Sequence, residues 1–179
     1  ALAFFALSSL YGNWQVVSET KSVTRLFAAS EKMGTAIATL QKERGLSAGF
    51  MASKGARLAE ELKAQRAVAD ETLDDLFKEA STFDADPKVS AAFATFRKRV
   101  ESRAAVRTLV DELSPEADFF VFYSTCNAEA LATIQTVGGT TSDPQTATRL
   151  ASYVSILWAG ERSGQERALM NGAYTAGEI

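Results

Sequence analysis

The sequence predicts an all-α protein, an antiparallel bundle of about five helices. Three observations carry that reading. Apolar residues recur at steps of three and four over long stretches, the spacing of an amphipathic helix. No stretch alternates apolar and polar residues between hairpin turns, as a strand would. Helix breakers are scarce, with eleven glycines and three prolines in 179 residues, so their positions mark boundaries.

The first helix is expected from the N-terminus to about Ser53, through Phe27, Met33, Ile37, Leu40, Leu46 and Met51, ending before Lys54-Gly55. The second spans about Ala56 to Thr82, with Leu62, Ala69, Leu73 and Leu76 on its inner side. Asp86 then caps a third helix with Pro87 at its first position, running to about Leu113. Ser114-Pro115-Glu116 repeats that start signal for a fourth, which stops at Gly138-Gly139. Asp143-Pro144 opens the fifth, carrying Leu150, Val154, Leu157 and Trp158. No linker is long enough to separate two globular domains.

Composition narrows the function. The chain is 46% apolar and 23% charged, ordinary for one globular domain that buries a core without disulfides. A net charge of -3 gives no general basic field to attract nucleic acid. The basic run Arg97, Lys98, Arg99, Arg103 and Arg107 reads as a solvated face paired with Glu101 and Asp111; Arg103 and Arg107 are minor candidates for an anion site. The chain has no histidine, which removes the commonest general base and the commonest transition-metal ligand. With no phosphate-binding glycine loop either, neither an enzyme nor a cofactor or metal is expected. Cys126, the single cysteine, reads as a small buried apolar residue.

Residues 1 to 11 are uncharged, too few to span a bilayer, which needs about 20. The segment 1–13 is expected to be the outer end of a transmembrane helix, with Tyr11 and Trp14 at the interface, and 14–179 the helical domain, with a further C-terminal helical part beyond Ile179.

The chain is organised around two Glu-Arg motifs, Gln41-Lys42-Glu43-Arg44-Gly45-Leu46-Ser47 and Gly164-Gln165-Glu166-Arg167-Ala168-Leu169. Arg44 lies in the series Met33, Ile37, Leu40, Arg44, Ser47, Met51, spaced four, three, four, three and four, which is the core-facing stripe. A guanidinium there costs several kcal/mol unless an anion matches it. The match is either a protein carboxylate (Glu43, Glu161, Glu166 or another neighbouring one) or a bound oxyanion, to which the planar donor fork of arginine is suited. Arg167 projects roughly 80–100° from the main apolar stripe of its helix. It shares a second face with Ile156, Gly160, Ser163, Met170 and Tyr174, so that helix is expected to be covered on two sides.

At these residues the sequence resembles the nitrate- and nitrite-sensing (NIT) domain family. The resemblance rests on Leu40 to Ser47, Val121-Phe122-Tyr123-Ser124, Ala130 to Ile134 and Gly164 to Leu169, in the family's order. It implies an all-helical, extracytoplasmic sensor domain of a membrane-anchored receptor such as a chemoreceptor or histidine kinase. It further implies a periplasmic location, a homodimer, and nitrate or nitrite bound through Arg44 and Arg167. Where the family often has Lys-Glu ahead of the second motif this chain has Gly160-Glu161, and Arg162 stands next to supply the charge. Gln41 and Ser47 are auxiliary donor candidates.

Overall fold

In the computed structural model the backbone is described for residues 2–84, 86–141 and 143–176, and side chains for 24–175 apart from 26, 85 and 142. The expected all-helical bundle forms, and among the described residues there is no strand. Its elements are α1 (Leu2–Ala52), α2 (Ala59–Lys78), the single turn α3 (Ala80–Phe83), α4 (Pro87–Glu101), α5 (Arg103–Asp111), α6 (Phe119–Thr140) and α7 (Pro144–Ala176).

α1 is the spine. It packs along α2, α6 and α7, and α6 in turn covers α4. The main core joins Met33, Ile37 and Leu40 of α1 to Leu73 and Leu76 of α2, Phe93 and Phe96 of α4, Tyr123 and Ile134 of α6, and Leu150 and Val154 of α7. A smaller cluster of Leu62, Val110 and Ala117 closes the end of the bundle where α1 stops.

Local chemistry sets the boundaries. α1 ends with the Gly55 amide donating to Phe50 O and the Lys54 amide to Met51 O, both at 3.0 Å. That pair is a Schellman closure, with Lys54 in the left-handed region at φ 51°. Asp86 caps α4 as expected, its Oδ1 accepting from the amides of Lys88 (2.7 Å) and Val89 (3.3 Å). Asp143 does the same for α7, accepting from the amides of Gln145 and Thr146.

Four expected boundaries move. The second helix, expected from Ala56 to Thr82, starts at Ala59 and breaks at Glu79, whose amide donates to Leu76 O at 3.0 Å, before the turn α3. The third helix is interrupted at Ser102, whose hydroxyl donates to Arg99 O at 2.7 Å while Arg103 Nη1 donates to Val100 O at 3.1 Å. Side chains thus take carbonyls that helix amides would otherwise use. The fourth helix starts at Phe119 rather than near Pro115. Leu113, at φ 54°, closes α5 in a second Schellman arrangement, and Ser114 Oγ accepts the Glu116 amide in a tight turn. α6 also continues through Gly138 and Gly139 to Thr140.

The side chains of the segment expected to lead into a membrane, 1–13, lie outside the described residues. Among the described residues, no helix is long and apolar enough to cross a membrane.

Candidate functional site

Glu43 and Arg44, adjacent on α1, are both fully buried, as is Glu161 on α7. Neighbours on a helix point about 100° apart, so each serves a different cluster.

Arg44 faces α6 and α7. Its Nη1 donates to Glu161 Oε1 at 2.5 Å and to Ser124 Oγ at 2.8 Å, and Nη2 lies 3.5 Å from Glu161 Oε2. The guanidinium sits 5.3 Å from the centroid of the Phe120 ring, a cation–π distance. The partner of the buried arginine is therefore Glu161, one of the carboxylates the sequence left open. Glu161 also accepts from Gln41 Nε2 (2.9 Å), Asn127 Nδ2 (2.9 Å) and Gln165 Nε2 (2.8 Å). One carboxylate thus gathers donors from α1, α6 and α7. Two polar atoms on this face of α1, Arg44 Nε and Ser47 Oγ, are buried without a hydrogen-bond partner among the described residues. Such orphans are uncommon and costly.

Above this cluster a groove of about 500 Å³ opens between α1 and α7. Gln41, Lys42 and Gly45 line it from α1, and Gly164, Arg167 and Asn171 from α7. Gly164 permits the close approach: a Cβ there would stand 3.2 Å from Arg44 Nη2 and 3.6 Å from Gln41 Cδ. Asn171 Nδ2 ties the helices by donating to Gly45 O at 3.1 Å. The buried guanidinium edge thus lies under Gly164, and Lys42 and Arg167 supply two exposed positive charges to the same groove.

The five sequence candidates separate accordingly. Arg44, Gln41 and Ser47 share one face of α1, and Gln41 reaches both the Glu161 cluster and the groove. Arg167 joins them from α7 by lining the groove, although the helix is not covered on its second side: Ile156, Met170 and Tyr174 are 69%, 62% and 76% exposed. Arg162 is not brought to this place. It is exposed, lies 5.4 Å from the Trp158 ring centroid, and donates to Gln165 Oε1.

The other cluster belongs to Glu43. Arg107 grips it with both nitrogens, Nε to Oε1 at 2.7 Å and Nη2 to Oε2 at 2.9 Å, and the Tyr123 hydroxyl donates to Oε1 at 2.6 Å. Arg107 Nη1 continues to Asp70, which Arg103 also meets at 2.8 Å. Burial works against the charge of Arg107, but Glu43 and Asp70 outweigh it and hold its pKa above the usual value. Burial together with Glu43 pushes the Tyr123 phenol well up. Arg103 and Arg107 therefore turn inward instead of forming the expected solvated face, and Asp111 pairs with Arg66. Arg107 holds the carboxylates of Glu43 and Asp70, and Arg103 that of Asp70.

Lys42, Asn127, Gln165 and Asn171 were not singled out by sequence reasoning. A signal existed for the central carboxylate: Val154, Leu157, Glu161, Gly164 and Ala168 continue the core stripe of α7 at steps of three and four. Asn127 likewise lies between Tyr123 and Ala130 on the buried stripe of α6.

No curated protein matches the chain. Among solved structures it is similar to one described as the structure of the NasR transcription antiterminator, with a TM-score of 0.80 at 22% identity. The match covers 92% of this chain and 46% of that one, so the chain spans about half the length of that protein. At that identity the likeness speaks for the helical fold. The family model described as nitrate and nitrite sensing matches residues 35–179, which include both Glu-Arg motifs and every residue of the groove. The chain belongs to the nitrate- and nitrite-sensing (NIT) family.

Proposed function

We propose that this domain binds nitrate or nitrite between α1 and α7, with Arg44 and Arg167 as the charge-matching donors and Gln41 and Ser47 as auxiliary ones. The observation that carries the reading is the fully buried Arg44, with its Nε unpartnered, beneath a groove that carries Lys42 and Arg167. A monovalent oxyanion there meets more positive than negative charge, since Glu161 offsets only one of the three cations. The domain acts as a sensor. α1 is one continuous helix of 51 residues, so a shift at Arg44 is carried along its whole length. In this reading α1 leads into a membrane span, the domain is extracytoplasmic in the periplasm, and the output belongs to a receptor such as a chemoreceptor or histidine kinase.

The receptor is a homodimer in this reading, and α7 supports that. Ile156, Gly160, Ser163, Met170 and Tyr174 fall at steps of four, three, seven and four, the spacing of a coiled-coil seam, and this face is exposed. A second copy of α7 is the matching occupant, to be read by sedimentation of the full chain with Met170→Glu as control.

The test of binding is calorimetric titration with nitrate against chloride, on the intact chain and on Arg167→Ala. Heat with nitrate alone, lost in Arg167→Ala, supports the reading; no heat and no thermal stabilisation at millimolar nitrate sinks it. A second reading is favoured by the Arg44–Glu161 pair itself, which already neutralises the buried charge. It makes the domain a helical receptor ectodomain for another small anion or a protein partner, with the Glu-Arg pairs purely structural.

A further inference from the structure

We infer that Glu161 is an internal stand-in for the ligand, a carboxylate seated in a cage shaped for a planar oxyanion, and that it sets both the affinity and the selectivity of the site. The inference rests on the proposed anion binding and deepens it. The arginine fork of Arg44 and the amides of Gln41, Asn127 and Gln165 are all planar groups with fixed N–H directions. They converge on the two oxygens of one buried carboxylate from three helices. A carboxylate and a nitrate or nitrite ion present the same edge, two oxygens on one trigonal centre with a single negative charge. Exchanging one for the other leaves the number of buried charges unchanged. A tetrahedral dianion such as sulfate matches neither the plane nor the charge.

The neighbouring groove makes the exchange feasible. Gln41 donates to Glu161 and also lines the groove with Lys42 and Arg167, so a displaced carboxylate has the Lys42 ammonium beside it while Arg167 takes the anion. The incoming anion also meets Arg44 Nε, which the carboxylate leaves unpartnered. Because Glu161 and Arg167 sit on the same helix, release of one and engagement of the other both act on α7. Displacing Glu161 lowers the observed affinity by the cost of that release, which keeps the sensor weak enough to be reversible.

The experiment compares the intact chain with Glu161→Gln and Glu161→Ala at constant ionic strength. Nitrate affinity is measured by calorimetry, and melting temperature in nitrate, acetate, sulfate and chloride. The expected result is nitrate binding at least tenfold tighter in Glu161→Gln than in the unaltered chain. Glu161→Ala is expected to melt early in chloride or sulfate and to be restored by nitrate or acetate, since a free planar oxyanion refills the cage. A purely structural glutamate would give neither the gain in affinity nor a rescue that depends on anion shape. If Glu161→Ala does not fold in any of the four salts, Glu161→Gln, which keeps the side-chain shape, decides the matter. Nitrate affinity in Glu161→Gln equal to or below that of the unaltered chain overturns the inference. Failure of the unaltered chain to bind nitrate strikes the proposed function instead, while acetate rescue and the gain in Glu161→Gln still report on the cage.

Discussion

Tyr123 of α6 donates its hydroxyl to Glu43 of α1 across 2.6 Å, inside a core where both residues are fully buried. Arg107 of α5 holds the same carboxylate with two nitrogens. One glutamate thereby fastens α5 and α6 to the spine helix, on the opposite side of the Glu-Arg pair from the groove.

This arrangement predicts unequal costs. Tyr123→Phe removes a single hydrogen bond to a charged acceptor and is expected to lower stability by about 1.5–3 kcal/mol. Arg107→Ala leaves a buried carboxylate without its cation and is expected to cost about 3–5 kcal/mol. Urea unfolding of the two variants gives the comparison. Equal losses would show that Glu43 is neutralised by Arg66, whose Nε stands 3.6 Å away, and not by Arg107.

The Arg44–Glu161 pair is expected to behave as a buried ion pair does when cut from one side. Arg44→Ala strands Glu161 among three amide donors and is expected to cost about 3–5 kcal/mol. The double variant Arg44→Met with Glu161→Leu removes both charges with similar volume and is expected to recover most of that loss. Denaturant midpoints of the singles and the double form the cycle. A double variant as unstable as Arg44→Ala would mean that Gln41, Asn127 and Gln165, left without their acceptor, matter more than the charges.

How much of this was legible in the sequence follows from the range of each interaction. The stripe Met33, Ile37, Leu40, Arg44, Ser47 is a property of one helix, so periodicity alone placed Arg44 in the core. Asp86-Pro87 is a local cap and was equally readable. The break at Ser102 turns on hydroxyl and guanidinium contacts with carbonyls, which leave the apolar periodicity intact and so give no signal in it. The inward turn of Arg103 and Arg107 depends on Asp70 and Glu43, which arrive from other helices. The choice of Glu161 over Glu43 and Glu166 needed the register of α7 against α1. Extending the Leu150-Val154-Leu157 stripe by one more step would have reached it.

Two glycines of the motifs separate packing from propensity. Nothing lies within 4 Å of a Cβ placed on Gly45, so Gly45→Ala is expected to gain roughly 0.5–1 kcal/mol from helix entropy alone, a rise of about 2–4 °C per kcal/mol in melting temperature for a chain of this size. Gly164→Ala gains the same entropy but presses from 3.2 Å on Nη2 of the Arg44 guanidinium, which Glu161 and Ser124 hold. It is expected to melt no higher than the unaltered chain. Thermal melts of the two variants decide it; a rise in Gly164→Ala matching that of Gly45→Ala would show that the Arg44 guanidinium is free to shift.

The pH dependence has two edges and a flat centre. Burial alone would raise the Asp70 carboxyl, but hydrogen bonds from Arg107 and Arg103 outweigh it and hold the group below the ordinary aspartate pKa. A depressed acid stabilises the fold fully above its unfolded pKa, and that contribution drains away as pH falls below about 4 toward the folded value. Cys126 sets the other edge. Burial, with Glu129 nearby, pushes its thiol from 9.0 up to about 12, so the unfolded chain loses the proton first and stability declines as pH rises past about 9. With no histidine in the chain, no side chain titrates at its ordinary pKa between pH 5 and 8. Melting temperatures are therefore expected to be level from pH 5 to 8 and to fall on both sides. Asp70→Asn should flatten the acid limb at the expense of a lower plateau, since Asn cannot match the charges of Arg103 and Arg107. Cys126→Ala should move the start of the alkaline limb from about pH 9 to about pH 10, where the Tyr123 phenol, also held up in the fold, begins to ionise in the unfolded chain. An acid limb of unchanged steepness in Asp70→Asn would assign acid sensitivity to a carboxylate other than the one bridging α2 and α5.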